Sequence, residues 1–371
     1  MTQEAEVLFQ LLNAALGNGT DVSLPNAVNW EKVFVLSVRQ GVPNIAYDGL
    51  QKLMDACPNE TFGFDGPELE ELRYKWIGYG MVAEQKYERY KHTIADLVAL
   101  YSKHGFKVLL IKGYGLSLYY PNPGHRPTGD IDIFVTDQNL VNAQVEADKL
   151  FQREEGLNVT KSKIGHHSHI GFKGVSVENH YEFSNTYFGG NKSKRLEAVL
   201  QTQSKMDRRE VELYGSLIDL PSPTFNAIFM MWHMASHLCS SRISLRQLCD
   251  WRQFLAAEQG QVDWKYVESV YCDYGLEQFA NAVMWIMGEY MGLDIDGWTA
   301  TENDKEVGRR IIDDIFSTGE YVTRLSRIKR FPSFGWKFKV VHHSHWLSLM
   351  IRSVILHLFH GEDIIEKEIK Y

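Results

Sequence analysis

The chain has 371 residues, of which 44% are hydrophobic and 23% charged, a balance typical of soluble globular proteins that excludes disordered and fibrous classes. Its length suggests roughly two to three domains. A formal net charge of −8 argues against a general nucleic-acid surface, because affinity for a phosphate backbone comes from clustered lysine and arginine; a local basic pocket is still compatible with it.

The opening stretch MTQEAEVLFQLLNAALG is acidic where a secretory signal is basic, and it has no long apolar run. The cytoplasm is therefore the expected location. Residues 1–104 read as helical. Tyr87, Tyr90, Ile94, Leu97, Val98 and Tyr101 step by three and four, and Gly105 stands where a glycine closes a helix. The short apolar run FKVLLIK (106–112) is bounded by glycines and reads as a buried strand, and GYGLSLYY after it as a short helix or turn. PNPGHRPTG is an obligatory loop, followed by the strand DIDIFVT. Thr136 or Asp137 is then placed to cap a helix whose apolar face is Leu140, Val141, Val145 and Leu150.

Residues 161–186 alternate with period two in the arms KIGHHSHIGF and VSVENHYEF, joined at Lys173-Gly174 as a hairpin. In the second arm Val175, Val177, Asn179 and Tyr181 share one face, and Ser176, Glu178, His180 and Glu182 share the other. Such a polar face is core only if it is a site. From Pro221 the pattern is helical again, broken at EQGQVDW. WLSLMIRSVILHLFHG (346–361) is interrupted by Arg352, His357 and His360 and falls short of the roughly 20 apolar residues of a membrane span. It reads as a core or partner-facing helix, with peripheral membrane docking as the alternative. Cys57, Cys239, Cys249 and Cys272 show no CxxC spacing and read as reduced, buried thiols. The expected architecture is α+β: an N-terminal helical region (1–95), a core with a mixed β-sheet (96–215) and a C-terminal helical region (216–371). No transmembrane segment is expected.

The chemistry concentrates in PTGDIDIFV (127–135). Residues two apart in a strand point the same way, so Asp130 and Asp132 offer two carboxylates to one small volume while Ile131 and Ile133 face the core. Mutual repulsion favours a divalent cation, and carboxylates shared with substrate phosphates are the usual setting of Mg²⁺. A solvated strand edge is the plainer alternative. Among the histidines, His233 and His237 lie four apart on one helix face, beside Trp232 and Met234, and read first as packing. Arg246 and Asp250 have the spacing of an intrahelical ion pair. In GHHSH, His167 and His169 point one way and His166 the other, so at least one imidazole shares the side of Glu178.

Taken together, LLIKGYGLSLYY, GDIDIFV and VSVENHYEF resemble the nucleotidyltransferase superfamily whose best-known fold is that of DNA polymerase beta. The resemblance is closer to its uncharacterised nucleotidyltransferases, through Lys112-Gly113, Arg126, Asp130-Ile131-Asp132, HMASH and LRQLCDW, over roughly residues 90–255. It implies a nucleotidyltransferase-like mixed sheet and Mg²⁺-dependent transfer of a nucleoside monophosphate from an NTP, ATP first among them, to a hydroxyl by in-line attack on the α-phosphate. It further implies two Mg²⁺ ions on Asp130, Asp132 and Glu178, with Glu182 as the substitute third carboxylate. Lys112, Gly113, Arg126 and Gly129 would bind the nucleotide. His233, His237, Arg246 and Asp250 would line the opposite wall of the cleft. Tyr114 departs from the pattern, which has a small residue after the glycine. The acceptor is unidentified, and the acidic chain favours a small molecule or protein over long nucleic acid. Two alternatives are a catalytically inactive nucleotide-binding or scaffold module of the same fold and a zinc hydrolase built from the histidines.

Overall fold

A computed structural model describes the chain except at residues 18–23, 26, 59, 61, 138–141, 162–165, 185, 241, 294, 296, 318–334, 343–346, 348–350 and 352–371, and describes 186–191 by their helix alone. Three helices come first: α1 (Gln3–Leu16), α2 (Trp30–Arg39) and α3 (Pro43–Ala56). The 34-residue α4 (Glu70–Lys103) follows. Then come β1 (Lys107–Leu110), α5 (Gly113–Ser117), β2 (Ile131–Thr136), α6 (Ala143–Glu154), β3 (Val159–Lys161), β4 (His167–Phe172), β5 (Val175–His180), α7 (Thr186–Gln203), β6 (Arg209–Leu213) and β7 (Ser216–Leu220). A second helical body closes the described chain: α8 (Pro223–Ser240), α9 (Leu245–Glu258), α10 (Trp264–Tyr274), α11 (Glu277–Glu289), α12 (Glu302–Phe316) and α13 (Gly335–His342).

The seven strands form one mixed sheet in the order β3-β4-β5-β2-β1-β7-β6. The β4–β5 and β6–β7 hairpins turn at Lys173-Gly174 and Tyr214-Gly215, where all four residues have positive φ, from 49° to 82°, as a two-residue type I′ turn demands. Alternation along β1 and β2 divides the side chains between two cores. Val108, Leu110, Ile131, Ile133 and Val135 join Val177, the C-terminal half of α4 and α6. Leu109, Ile111, Phe134 and Phe183 join the larger core that unites α1–α3 with α8–α12. Each apolar side chain so buried contributes about 1.5–3 kcal/mol. Since Asp132 lies two residues before Phe134, it faces the helical body.

Helix α4 spans both cores: Leu72 and Trp76 belong to the larger, and Tyr87 through Tyr101 to the other. The expected limit at 95 falls inside this helix, and that at 215 falls inside the β6–β7 hairpin, whose second strand pairs with β1. The α+β class holds, and the sheet also gains the β6–β7 hairpin at REVELYGSLIDL, a stretch to which no element was assigned above. The helix after β2 is capped by Asn142 without a side-chain hydrogen bond, and it buries Ala143, Ala147 and Phe151; Leu140 and Val141 lie outside the described residues. So does nearly all of 346–361. Among the described residues no helix is long and apolar enough to cross a membrane. All four cysteines are free, with Cys249 buried but Cys272 exposed, so burial of the thiols is not general.

A buried ion pair ties the loop before β2 to the helical body. Arg126 Nε and Nη2 donate to Asp250 Oδ1 and Oδ2 of α9 at 2.7 and 2.8 Å, and the Tyr120 hydroxyl adds a bond to Oδ1 at 2.7 Å. The expected Arg246–Asp250 pair gives way to this one, because Arg126, 6% exposed, has more to lose from an unpaired charge. Asp250→Ala strands that guanidinium and should cost about 3–5 kcal/mol in urea denaturation, whereas Arg126→Met/Asp250→Leu should cost far less. A single variant as stable as wild type contradicts the tie.

Candidate active site

Strands β2 and β5 run parallel with Asp132 opposite Glu178, and β4 runs antiparallel to β5 with His169 opposite Glu178 and His167 opposite His180. Since register neighbours point to the same side of a sheet, five polar side chains from three strands meet on the face toward the helical body. Ligand atoms of Asp132, Glu178 and His180 lie within 4.8 Å of one another. His180 Nε2 donates to Asp132 Oδ1 at 2.9 Å and is 3.7 Å from Glu178 Oε2. On the far side of β4 and β5, Asn179 and Tyr181 bond Asp148 of α6, so the alternation expected for this hairpin is the one observed.

The same oxygen of Asp132 receives Lys112, whose Nζ stands 3.0 Å away. Lys112 occupies the turn between β1 and α5 at φ 56°, ψ −142°, a conformation that a side chain rarely tolerates and that clusters at functional sites. Its ammonium also lies over the Phe229 ring of α8 at 5.8 Å. Burial alone would raise the Asp132 carboxyl; Lys112 and His180 outweigh it and hold the group well below the usual carboxylate range. His180 is lowered by burial, against the pull of Asp132. Burial and neighbouring imidazoles push His166 down to about 3 and His167 to about 2, so both are neutral at pH 7.

Helix α8 supplies the opposite wall. His233 is held well below its ordinary range by burial, by Lys112 and by His237, and the two helical histidines approach at 3.3 Å between Nε2 atoms. Asp130 begins one residue before β2 and is half-buried; its carboxylate is outside the convergent set of Asp132, Glu178 and His180. Glu182 lies past the end of β5, with its N–H on the His166 carbonyl at 3.3 Å. Gly129 is exposed at the strand entrance. Arg126, expected to meet phosphate, is closed into its pair with Asp250. Tyr114 is buried against Tyr87, so its ring occupies core instead of the turn. His180 is the residue to which the sequence assigned no role. Its signal was the shared face with Glu178, but the parallel pairing with β2 that brings it to Asp132 leaves no local trace.

One contact locks the turn to the acidic strand. The Tyr90 hydroxyl donates to the Asp130 carbonyl at 2.8 Å and lies 2.7 Å from where a Cβ on Gly113 would stand; Gly113 also has φ +40°. Gly113→Ala should therefore cost about 1–3 kcal/mol in urea denaturation, and adding Tyr90→Phe should recover part of it. An unchanged midpoint for the single variant would show that the turn accepts a side chain.

A family model described as uncharacterised nucleotidyltransferase matches residues 26–292. No curated protein matches the chain. Among solved structures, the crystal structure of an antigenic nucleotidyltransferase-like protein from Paracoccidioides brasiliensis is similar over 55% of this chain and 93% of that one, with 15% identity and a TM-score of 0.36. With the family match extending over well more than half of its length and the sheet carrying its acidic strands side by side, the chain belongs to the uncharacterised nucleotidyltransferase family.

Proposed function

We propose that this protein is an Mg²⁺-dependent transferase that moves a nucleoside monophosphate from an NTP, ATP in the first instance, to a hydroxyl of a small molecule or protein. Family membership supports the reaction class. The observation that carries the rest is the register pairing of Asp132 with Glu178 on the face turned to α8.

The donor chemistry fits the ion: carboxylate oxygens of Asp132 and Glu178 come from adjacent strands, Asp130 stands at the entrance of the same strand, and Mg²⁺ takes oxygen ligands and shares them with phosphate. Asp132 and Glu178 would hold it, joined by Asp130 once its side chain turns inward from the strand entrance, and when bound it would neutralise charge on the phosphates and on the attacking oxygen. The chain's own groups do the remaining work. His180 fixes the orientation of the Asp132 carboxylate through Nε2–H. Lys112, at the tip of a strained turn, is paired with Asp132 and would turn its ammonium to a phosphate oxygen, the preorganised charge that phosphoryl chemistry uses. Glu178 would accept the proton of the acceptor hydroxyl as its oxygen bonds to the α-phosphorus and the bond to pyrophosphate breaks. Arg126 drops out of the phosphate-binding set, because freeing it from Asp250 would leave a buried carboxylate unpaired.

An inactive nucleotide-binding module remains the second reading, favoured by the Lys112–Asp132 pair, which already satisfies one oxygen of the acidic strand. Calorimetry separates these outcomes when combined with release of pyrophosphate in cell extract. Wild type should bind MgATP, and Asp132→Asn and Glu178→Gln should weaken it at least tenfold, about 1.4 kcal/mol. Equal affinities would defeat the metal-nucleotide site, and tight binding without pyrophosphate release would favour the inactive module.

A further inference from the structure

Two imidazoles of β4 converge with Glu178 in a pattern that nucleotidyl transfer does not use. His167 Nε2 is 3.0 Å from His169 Nε2 and 3.8 Å from Glu178 Oε1, and His169 Nδ1 is 3.3 Å from that same oxygen. One ligand atom from each of the three lies within 4.8 Å of the others. His169 meets His167 through Nε2 and Glu178 through Nδ1, and one ring gives one nitrogen to one ion, so the relevant figure is the 4.8 Å that encloses one atom from each residue. Small side-chain rotations tighten that set to the roughly 3.4 Å between ligands of a tetrahedral ion bound at about 2.0–2.2 Å.

A second observation concerns the other nitrogen of His167. Nδ1 stands 3.0 Å from His166 Nε2, the kind of outer hydrogen bond that fixes a ligating histidine's tautomer and leaves its forward nitrogen free to coordinate. The donor set points away from magnesium as well. Two nitrogens and one carboxylate suit borderline first-row cations, whereas hard ions prefer oxygen alone.

We propose that His167, His169 and Glu178 form a binding site for a borderline first-row divalent cation of the Zn²⁺ class, oriented from behind by His166 and bordered by His180 and Asp132. The site shares Glu178 with the nucleotidyl-transfer reading and otherwise stands without it. The rival account of the same contacts is a ladder of imidazole hydrogen bonds ending on the Glu178 carboxylate, which binds no metal.

The test uses the full-length protein stripped with a chelator and titrated with Co²⁺, read by its visible ligand-field absorption. One saturable equivalent is expected, bleached by stoichiometric Zn²⁺ and untouched by excess Mg²⁺. His169→Asn and Glu178→Gln should each weaken binding at least about tenfold, the scale that even outer partners of a ligand reach, with His169→Asn melting at the temperature of the metal-free wild type. Asp130→Asn should keep the cobalt spectrum while losing MgATP, so that failure of one reading is told apart from failure of the other. No saturable spectrum in wild type, or His169→Asn and Glu178→Gln titrating like wild type, overturns the site in favour of the ladder.

Discussion

Asp132 and Glu178 sit at one register position on neighbouring parallel strands, on the side of the sheet that the helical body covers. Two partly buried carboxylates that close cannot both remain charged without compensation, since burial penalises each and repulsion penalises the pair. The molecule answers with positive and polar groups from three directions. Lys112 comes from the β1–α5 turn, His180 from the same strand as Glu178, and His167 and His169 from the next strand out. The strained backbone of Lys112 makes sense in this light: a lysine held at φ 56° delivers its ammonium to Asp132 from a turn that glycine would occupy with less strain.

The two cores explain why that face is available. Odd-numbered positions of β2 complete a conventional layer with α4 and α6, so the strand is anchored on one side by Ile131, Ile133 and Val135. The even positions are then free to carry chemistry near Phe134, which joins the larger core. Tyr90 ties the two halves of the site together, because its hydroxyl reaches the Asp130 carbonyl while its oxygen fills the space beside Gly113. Position 113 thus needs to lack a side chain for a packing reason in addition to its backbone angle.

Much of this was legible in the chain because the signals are local. The period-two alternation of 175–182 and the Lys173-Gly174 turn each report on a few consecutive residues, and the structure forms the hairpin with the expected faces; the D-x-D spacing is half informative, since Asp132 joins the convergent set and Asp130 does not. What escaped notice depends on long-range pairing. Arg126 meets Asp250 across 124 positions, so the four-residue spacing of Arg246 and Asp250 suggested the nearer partner. The β6–β7 hairpin is the exception, since REVEL and SLIDL alternate about Tyr214-Gly215 and pair over five positions, a local signal of the same kind as that of the β4–β5 hairpin. His180 was readable as a member of a polar face but not as the partner of Asp132.

The Arg126–Asp250 pair has a mechanical consequence. It rivets the segment leading into the acidic strand to α9, and pulling such a buried pair apart costs several kcal/mol. A jaw-like swing of the helical body away from the sheet is therefore an expensive way to admit a large substrate. With the frame shut, entry falls to the seam between α8 and the strand face, where the partly exposed Lys112 side chain lies over a Phe229 ring that is itself locked in the core.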